Sequence, residues 1–377
     1  MASRCIVVAW LLASACGSKT AIEVGEPTAE DAGFDGFDAG FDAVVDVGVD
    51  AVDVGPDAFP PLPCQWNYRG DVALNFYRGT LLEGAVSPFG PTAMVVALTT
   101  PDVREVPAAD TAFGIRVSDT PTVEWMTEVP TDGLGVYATE ESFRRVRFCE
   151  LEVWNLDGRR SGAFPIEGCP PGGADFTSDA FEGQASYWEN DALHVFELAN
   201  GAEVDRFPLP GAGEGVPVLT PEGAALLLFG DPVRARYPGM PAFPVVEEEG
   251  RGLHPTPYRS RGGVVINWTL RDRPRLAYTE RSGFVQDYDL FELGPERSVS
   301  PVAIHETTAI FVLERGQVVV LPLEGGPIQF LPPLSPRVRR ARVLLIDGTR
   351  AGGIAYVRAG EGPDQLRFRS MVCVDAV

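Results

Sequence analysis

Histidine and lysine are almost missing from this chain of 377 residues, which has three histidines and a single lysine, Lys19, beside 30 arginines. So few histidines leave little material for metal ligation or for acid–base work near neutral pH. A basic excess is missing too: 53 acids face 31 bases, for a net charge of −22. That balance argues against nucleic acid as a partner, because phosphate binding needs a concentrated basic face. Long apolar runs are also lacking. The longest, Ile6–Ala15, is too short to cross a bilayer.

Chemical motifs are equally scarce. His305-Glu306-Thr307-Thr308-Ala309 begins like H-E-x-x-H, but Ala309 stands where the second metal ligand belongs. Gly211-Ala212-Gly213-Glu214-Gly215 lacks G-x-G-x-x-G spacing and leads into Val216-Pro217 rather than a phosphate-binding helix. No G-x-S-x-G elbow occurs. The sequence therefore assigns no catalytic residue, no metal ligand and no cofactor.

What is present begins at the N-terminus. Met1–Cys16 carries one positive charge (Arg4), an apolar stretch and then small residues, the order of an export signal. Leu12-Ala13-Ser14-Ala15-Cys16 resembles the lipobox of bacterial lipoproteins, with Ala13 where leucine is usual. The resemblance implies lipidation of Cys16 and a membrane partner reached through the lipid. Gly17 stands where aspartate marks inner-membrane retention, so the implied destination is the outer membrane. Cysteine parity agrees: with Cys5 removed and Cys16 lipidated, Cys64, Cys149, Cys169 and Cys373 remain, enough for two disulfides in an oxidising compartment.

Residues 17–63 hold 11 acids against Lys19, and from Asp31 the aspartates recur every three or four positions. On a helix that spacing stacks like charges along one face. Glycine and valine weaken the helix further, so the segment reads as a disordered acidic tether. As a flexible coil its 47 residues would span roughly 35–40 Å.

Residues 64–377 predict an all-β domain. Short apolar runs alternate with Gly, Pro, Asp and Asn, as at Ala93–Leu98, Phe113–Val117, Leu151–Leu156, Leu193–Leu198, Ala224–Phe229, Val264–Trp268, Ala309–Leu313 and Val343–Ile346. Prolines precede many of them: Pro88, Pro130, Pro171, Pro217, Pro257, Pro301 and Pro336 stand 42, 41, 46, 40, 44 and 35 residues apart. A second signature repeats as Leu151-Glu152-Val153-Trp154-Asn155-Leu156-Asp157-Gly158 and Leu193-His194-Val195-Phe196-Glu197-Leu198-Ala199-Asn200-Gly201. Its Asp-Gly and Asn-Gly pairs suit tight hairpin turns. A period near 40 is one four-stranded sheet with its turns. The pattern resembles the loose WD-like or quinoprotein-like β-propeller repeat, without the G-H…W-D signature or the quinoprotein tryptophan motif, and implies seven blades. Stacked sandwiches are the alternative use of the same strands.

The propeller layout pairs Cys64 with Cys373, closing the ring, and Cys149 with Cys169, flanking the Asp157-Gly158 hairpin; four cysteines allow other pairings as well. Trp66, Trp125, Trp154, Trp188 and Trp268 are expected in blade cores. Arg337, Arg339, Arg340 and Arg342 form a basic run in an acidic chain, a candidate contact patch whose plainer reading is a solvated or guarded strand. The expected function is a tethered, non-catalytic binding module for a protein or glycan; a propeller hydrolase, lyase or quinoprotein oxidoreductase is the alternative.

Overall fold

The computed structural model describes residues 64–375 except 75–80, 89, 99–109, 131–132, 171–174, 178–179, 190, 212–214, 229–231, 247–250, 259–261, 271–272, 284, 289, 291–295, 347–348 and 360–364. Cys16 and the expected export signal and acidic tether lie outside the described residues. Among those described, all regular structure is β, in seven antiparallel sheets of four strands.

The first sheet comprises β2 (Leu81–Val86), β3 (Thr92–Leu98), β4 (Asp110–Arg116) and β5 (Thr122–Val129). The second holds β6 (Gly133–Ala138), β7 (Ser142–Arg147), β8 (Glu150–Asn155) and β9 (Arg160–Pro165). The third is built from β10 (Asp175–Phe176), β11 (Gln184–Glu189), β12 (Ala192–Glu197) and β13 (Glu203–Pro208). Then come β14 (Gly215–Thr220), β15 (Gly223–Leu228), β16 (Val233–Arg236) and β17 (Phe243–Val246). The fifth sheet has β18 (Arg251–Tyr258), β19 (Gly263–Leu270), β20 (Arg273–Thr279) and β21 (Val285–Tyr288), and the sixth β22 (Ala303–His305), β23 (Thr308–Val312), β24 (Val318–Pro322) and β25 (Gln329–Leu331). The seventh is composite. β26 (Val338–Leu345), β27 (Ala351–Arg358) and β28 (Gln365–Val374) are completed by β1 (Gln65–Ala73), with Trp66 opposite Cys373.

First strands of most neighbouring sheets touch one another, blades 2 and 3 share a core of Tyr137, Val146, Tyr187 and Phe196, and β2 closes the ring against β26. The result is a seven-bladed β-propeller. Burial explains which strands the sequence revealed. Second and third strands are covered on both faces by adjacent blades, so Ala93–Ala97 of β3 and all of β23 and β24 are buried. Outer strands meet water on both faces, and every residue of β9 is exposed.

The repeating prolines do not all mark one place. Pro130, Pro301 and Pro336 fall in connections between blades, Pro88 in the turn after β2, and Pro217 and Pro257 inside the innermost strands β14 and β18, while Pro171 lies outside the described residues. An innermost strand has a ladder partner on one side only, so a proline there removes no bond from the opposite edge. The two hairpin signatures fold as expected. Gly158, at φ 82°, turns the chain from β8 to β9, and Gly201, at φ 76°, from β12 to β13. Gly158 is also a packing requirement, since a Cβ there would come within 2.5 Å of the Trp125 indole.

Both disulfides are formed, Cys64 with Cys373 and Cys149 with Cys169, the Cα atoms 5.4 and 5.5 Å apart. The first ties the two ends of the domain within the composite blade. The second ties the β7–β8 turn to the connection between blades 2 and 3. In the chain-entropy view they contribute about 5 and about 3 kcal/mol as upper figures.

Candidate binding site at the propeller axis

The innermost strands stand around a cavity of about 850 Å³, within the range of small-molecule and peptide sites. Its wall is apolar where β2, β6, β22 and β26 present Ala85, Val86, Val136, Ala138, Ile304 and Val343. It opens toward the turns that join first strands to second strands, which bring Glu182, Glu306, Thr349 and Arg350 to the mouth. The ring-closing disulfide borders this face, because the Cys373 amide donates to the Arg350 carbonyl at 2.7 Å.

Charge at the mouth is mixed. Arg350 pairs with Asp375, and Glu306 occupies a turn at φ 51°. His305 holds the rim together: its Nε2 lies 2.9 Å from the Thr349 carbonyl. A carbonyl only accepts, so Nε2 carries the proton. The ring also meets buried Trp66 edge-on at 5.2 Å. Deeper in the wall, the Tyr137 hydroxyl donates to the Thr177 carbonyl at 2.7 Å and Thr256 to the Val302 carbonyl at 2.9 Å. Both bonds link one blade to the next, so they serve the ring more than a ligand.

The arginine run does not form one face. Arg342 is 6% exposed and lines the axial cavity. Arg339 and Arg340 are both exposed, because β26 slips register between Val338 and Arg340. Arg337 lies before the strand, 3.9 Å from Glu314. Trp66, Trp154 and Trp188 are buried in blade interfaces, while Trp125 is half-buried and donates to the Leu156 carbonyl at 2.7 Å. The histidines occupy unrelated positions: His194 is buried in β12, His305 is at the axial mouth, and the side chain of His254 lies outside the described residues.

Sequence reasoning passed over a buried charge network in blade 2. Arg145, 1% exposed, lies 3.2 Å from Asp110 of blade 1 and 3.3 Å from Glu152, and donates to the Pro130 carbonyl at 2.6 Å. Burial lowers the pKa of this guanidinium, and Glu152 and Asp110 beside it pull it back up. Trp154 Nε1 donates to the same Glu152 at 3.3 Å. In blade 3, His194 Nδ1 is 2.5 Å from Glu203, and the ring stacks on Tyr187 at 4.5 Å. Burial raises the Tyr187 pKa, with Glu203 adding to it. Glu152 and His194 hold the same place in the repeated Leu-x-Val-aromatic signature. A polar residue recurring inside a doubly buried strand was the available signal.

No protein-family model matches the chain, and no curated protein sequence matches it. Among solved structures, the WD40 domain of Pan2 from Neurospora crassa is similar, with a TM-score of 0.55 at 11% identity over 84% of this chain and 99% of that chain. At that identity the likeness speaks for the fold alone. The chain thus carries a seven-bladed β-propeller, the fold it shares with that domain.

Proposed function

We propose that the protein is an envelope lipoprotein, anchored in the outer membrane through Cys16, whose propeller binds a protein or glycan partner and performs no chemistry of its own. The carrying observation is the pairing of the cysteines. Cys64 with Cys373 and Cys149 with Cys169 use all four mature cysteines of the domain, which leaves Cys16 alone for lipid. The axial cavity supports binding: an apolar wall, a mouth of mixed charge and a rigid closed ring suit recognition. Tethering such a body beside envelope partners raises its local concentration there.

Palmitate labelling and membrane fractionation test the anchor. The wild-type chain takes up label and stays with the membrane; Cys16→Ser takes up none and moves to the soluble fraction. An unlabelled wild-type chain, or a variant that stays with the membrane, would end the lipoprotein reading. Turnover of a substrate by the purified chain, abolished by Glu182→Gln or Glu306→Gln at the mouth, would end the non-catalytic one.

A further inference from the structure

The β7–β8 hairpin breaks the rule for its own turn. Arg147 pairs with Glu150, so the loop is the two residues Phe148 and Cys149, at φ 43° and 63°. Two positive φ values in a two-residue hairpin call for Asn-Gly or a similar pair, because side chains with bulk at Cβ are strained there. This chain uses glycine freely, 41 times, and places Asp-Gly and Asn-Gly in other hairpins. Here it places phenylalanine and half a disulfide. Cys149 has a structural reason to be there, its bond to Cys169. Phe148 has none in the fold, since 61% of it is exposed and it belongs to no core cluster.

Among the described residues, the other non-glycine positions with positive φ are Glu182, Asp191 and Glu306, polar residues suited to exposed turns. Phe148 is the aromatic among them. Its ring is also held in place, with the Arg147 guanidinium 5.5 Å from the centroid. The turn beneath is fixed twice, by the disulfide and by the Ile166 amide donating to the Cys149 carbonyl at 2.8 Å. An exposed aromatic side chain on a rigid support is the chemistry of interface hot spots, because little freedom is left to lose on binding.

We infer that Phe148 is a preorganised anchor for a protein partner that offers an apolar pocket for one ring. This rests on the domain being a binding module, and it locates the contact on the face opposite the axial mouth. Antiparallel strands put second-to-third turns on that opposite side. The occupant follows from the surroundings. Arg147 covers one face of the ring, so an edge and a tip are presented, which enter a pocket rather than serve as a flat sugar platform. A bilayer fits poorly: Phe148 is a single ring beside the exposed acids Glu150 and Glu167 on a chain of net charge −22, which anionic lipid repels.

The test uses the full chain and two substitutions, Phe148→Asn and Phe148→Gly, which suit the turn. Each should raise the melting temperature by about 2–4 °C. A photo-crosslinking residue in place of Glu150, introduced in cells, should form one discrete protein adduct when Phe148 is present. Phe148→Asn should reduce that adduct at least tenfold, and the same probe in place of Met126, equally exposed on β5, should not form it. A drop in melting temperature for both variants would make Phe148 a structural residue and overturn the inference. An adduct indifferent to Phe148→Asn would overturn it while leaving a binding module in place; no adduct at all would count against both. Phe148-dependent binding to phosphatidylethanolamine–phosphatidylglycerol vesicles would replace the protein pocket with a membrane.

Discussion

Blades 2 and 7 occupy similar places in the ring and are held by opposite means. Blade 7 is apolar. Val338, Val343, Ile354, Tyr356 and Met371 pack with Trp66 of β1 and with Ile310, Val312, Val318 and Val320 of blade 6. Blade 2 carries charge in its interior. Arg144, Arg145 and Glu152 sit in strands buried on both faces, and Arg144 reaches blade 3 through a 2.7 Å bond to the Leu198 carbonyl. Apolar packing has no directional requirement and tolerates a blade assembled from both chain ends. A buried charge network is directional. It fixes which neighbours blade 2 accepts, and removing one partner strands the other.

Breaking the closure should have the largest effect. Cys64→Ser with Cys373→Ser should cost about 5 kcal/mol, because the loop it opens is the longest in the domain. Thermal unfolding of the oxidised and variant proteins measures the difference. Next, Glu152→Ala removes one of the two carboxylates that face buried Arg145, an expected loss of about 3–5 kcal/mol. Arg145→Met with Glu152→Leu and Asp110→Leu should recover part of it, since replacing a whole buried network by apolar groups is far cheaper than breaking it. Cys149→Ser with Cys169→Ser opens a loop of only 20 residues and should cost about 3 kcal/mol or less.

The smallest effect at ordinary pH separates the blades by titration. Burial raises the pKa of Tyr68 and Tyr356 in blade 7, of Tyr187 in blade 3 and of Tyr237 in blade 4. At Tyr68 the Arg369 guanidinium, 5.1 Å from the ring, works against burial. Unfolded tyrosine ionises near pH 10, whereas these remain protonated in the folded chain. Their stabilisation is therefore complete below pH 10 and is lost as pH rises above it, at about 1.4 kcal/mol per pH unit for each group. Denaturant midpoints should be flat from pH 7 to 9 and fall steeply beyond 10. Tyr68→Phe with Tyr356→Phe should reduce that slope.

Much of this architecture was legible in the residues. The apolar runs at Ala93–Leu98 and Ala309–Leu313 announce strands covered on both sides, and Asp157-Gly158 and Asn200-Gly201 announce the turns that follow third strands. The proline period near 40 pointed to seven repeats, although its members fall in three kinds of position. Less was visible at the innermost strands: Pro217 and Pro257 disguise β14 and β18, and β10 is two residues long. The axial cavity is invisible as well, since its wall is drawn from short stretches of several blades far apart in the sequence. Phe148 was hidden because a turn without Gly, Asn or Asp carries no turn signal.

Hydrogen–deuterium exchange of the oxidised chain tests the composite blade most directly. If β1 completes the sheet of β26–β28, the amides of Gln65–Ala73 that face β28 should exchange as slowly as those of β28, and Cys64→Ser with Cys373→Ser should accelerate both together. Fast exchange of β1 beside a protected β28 would contradict the closed seven-bladed ring.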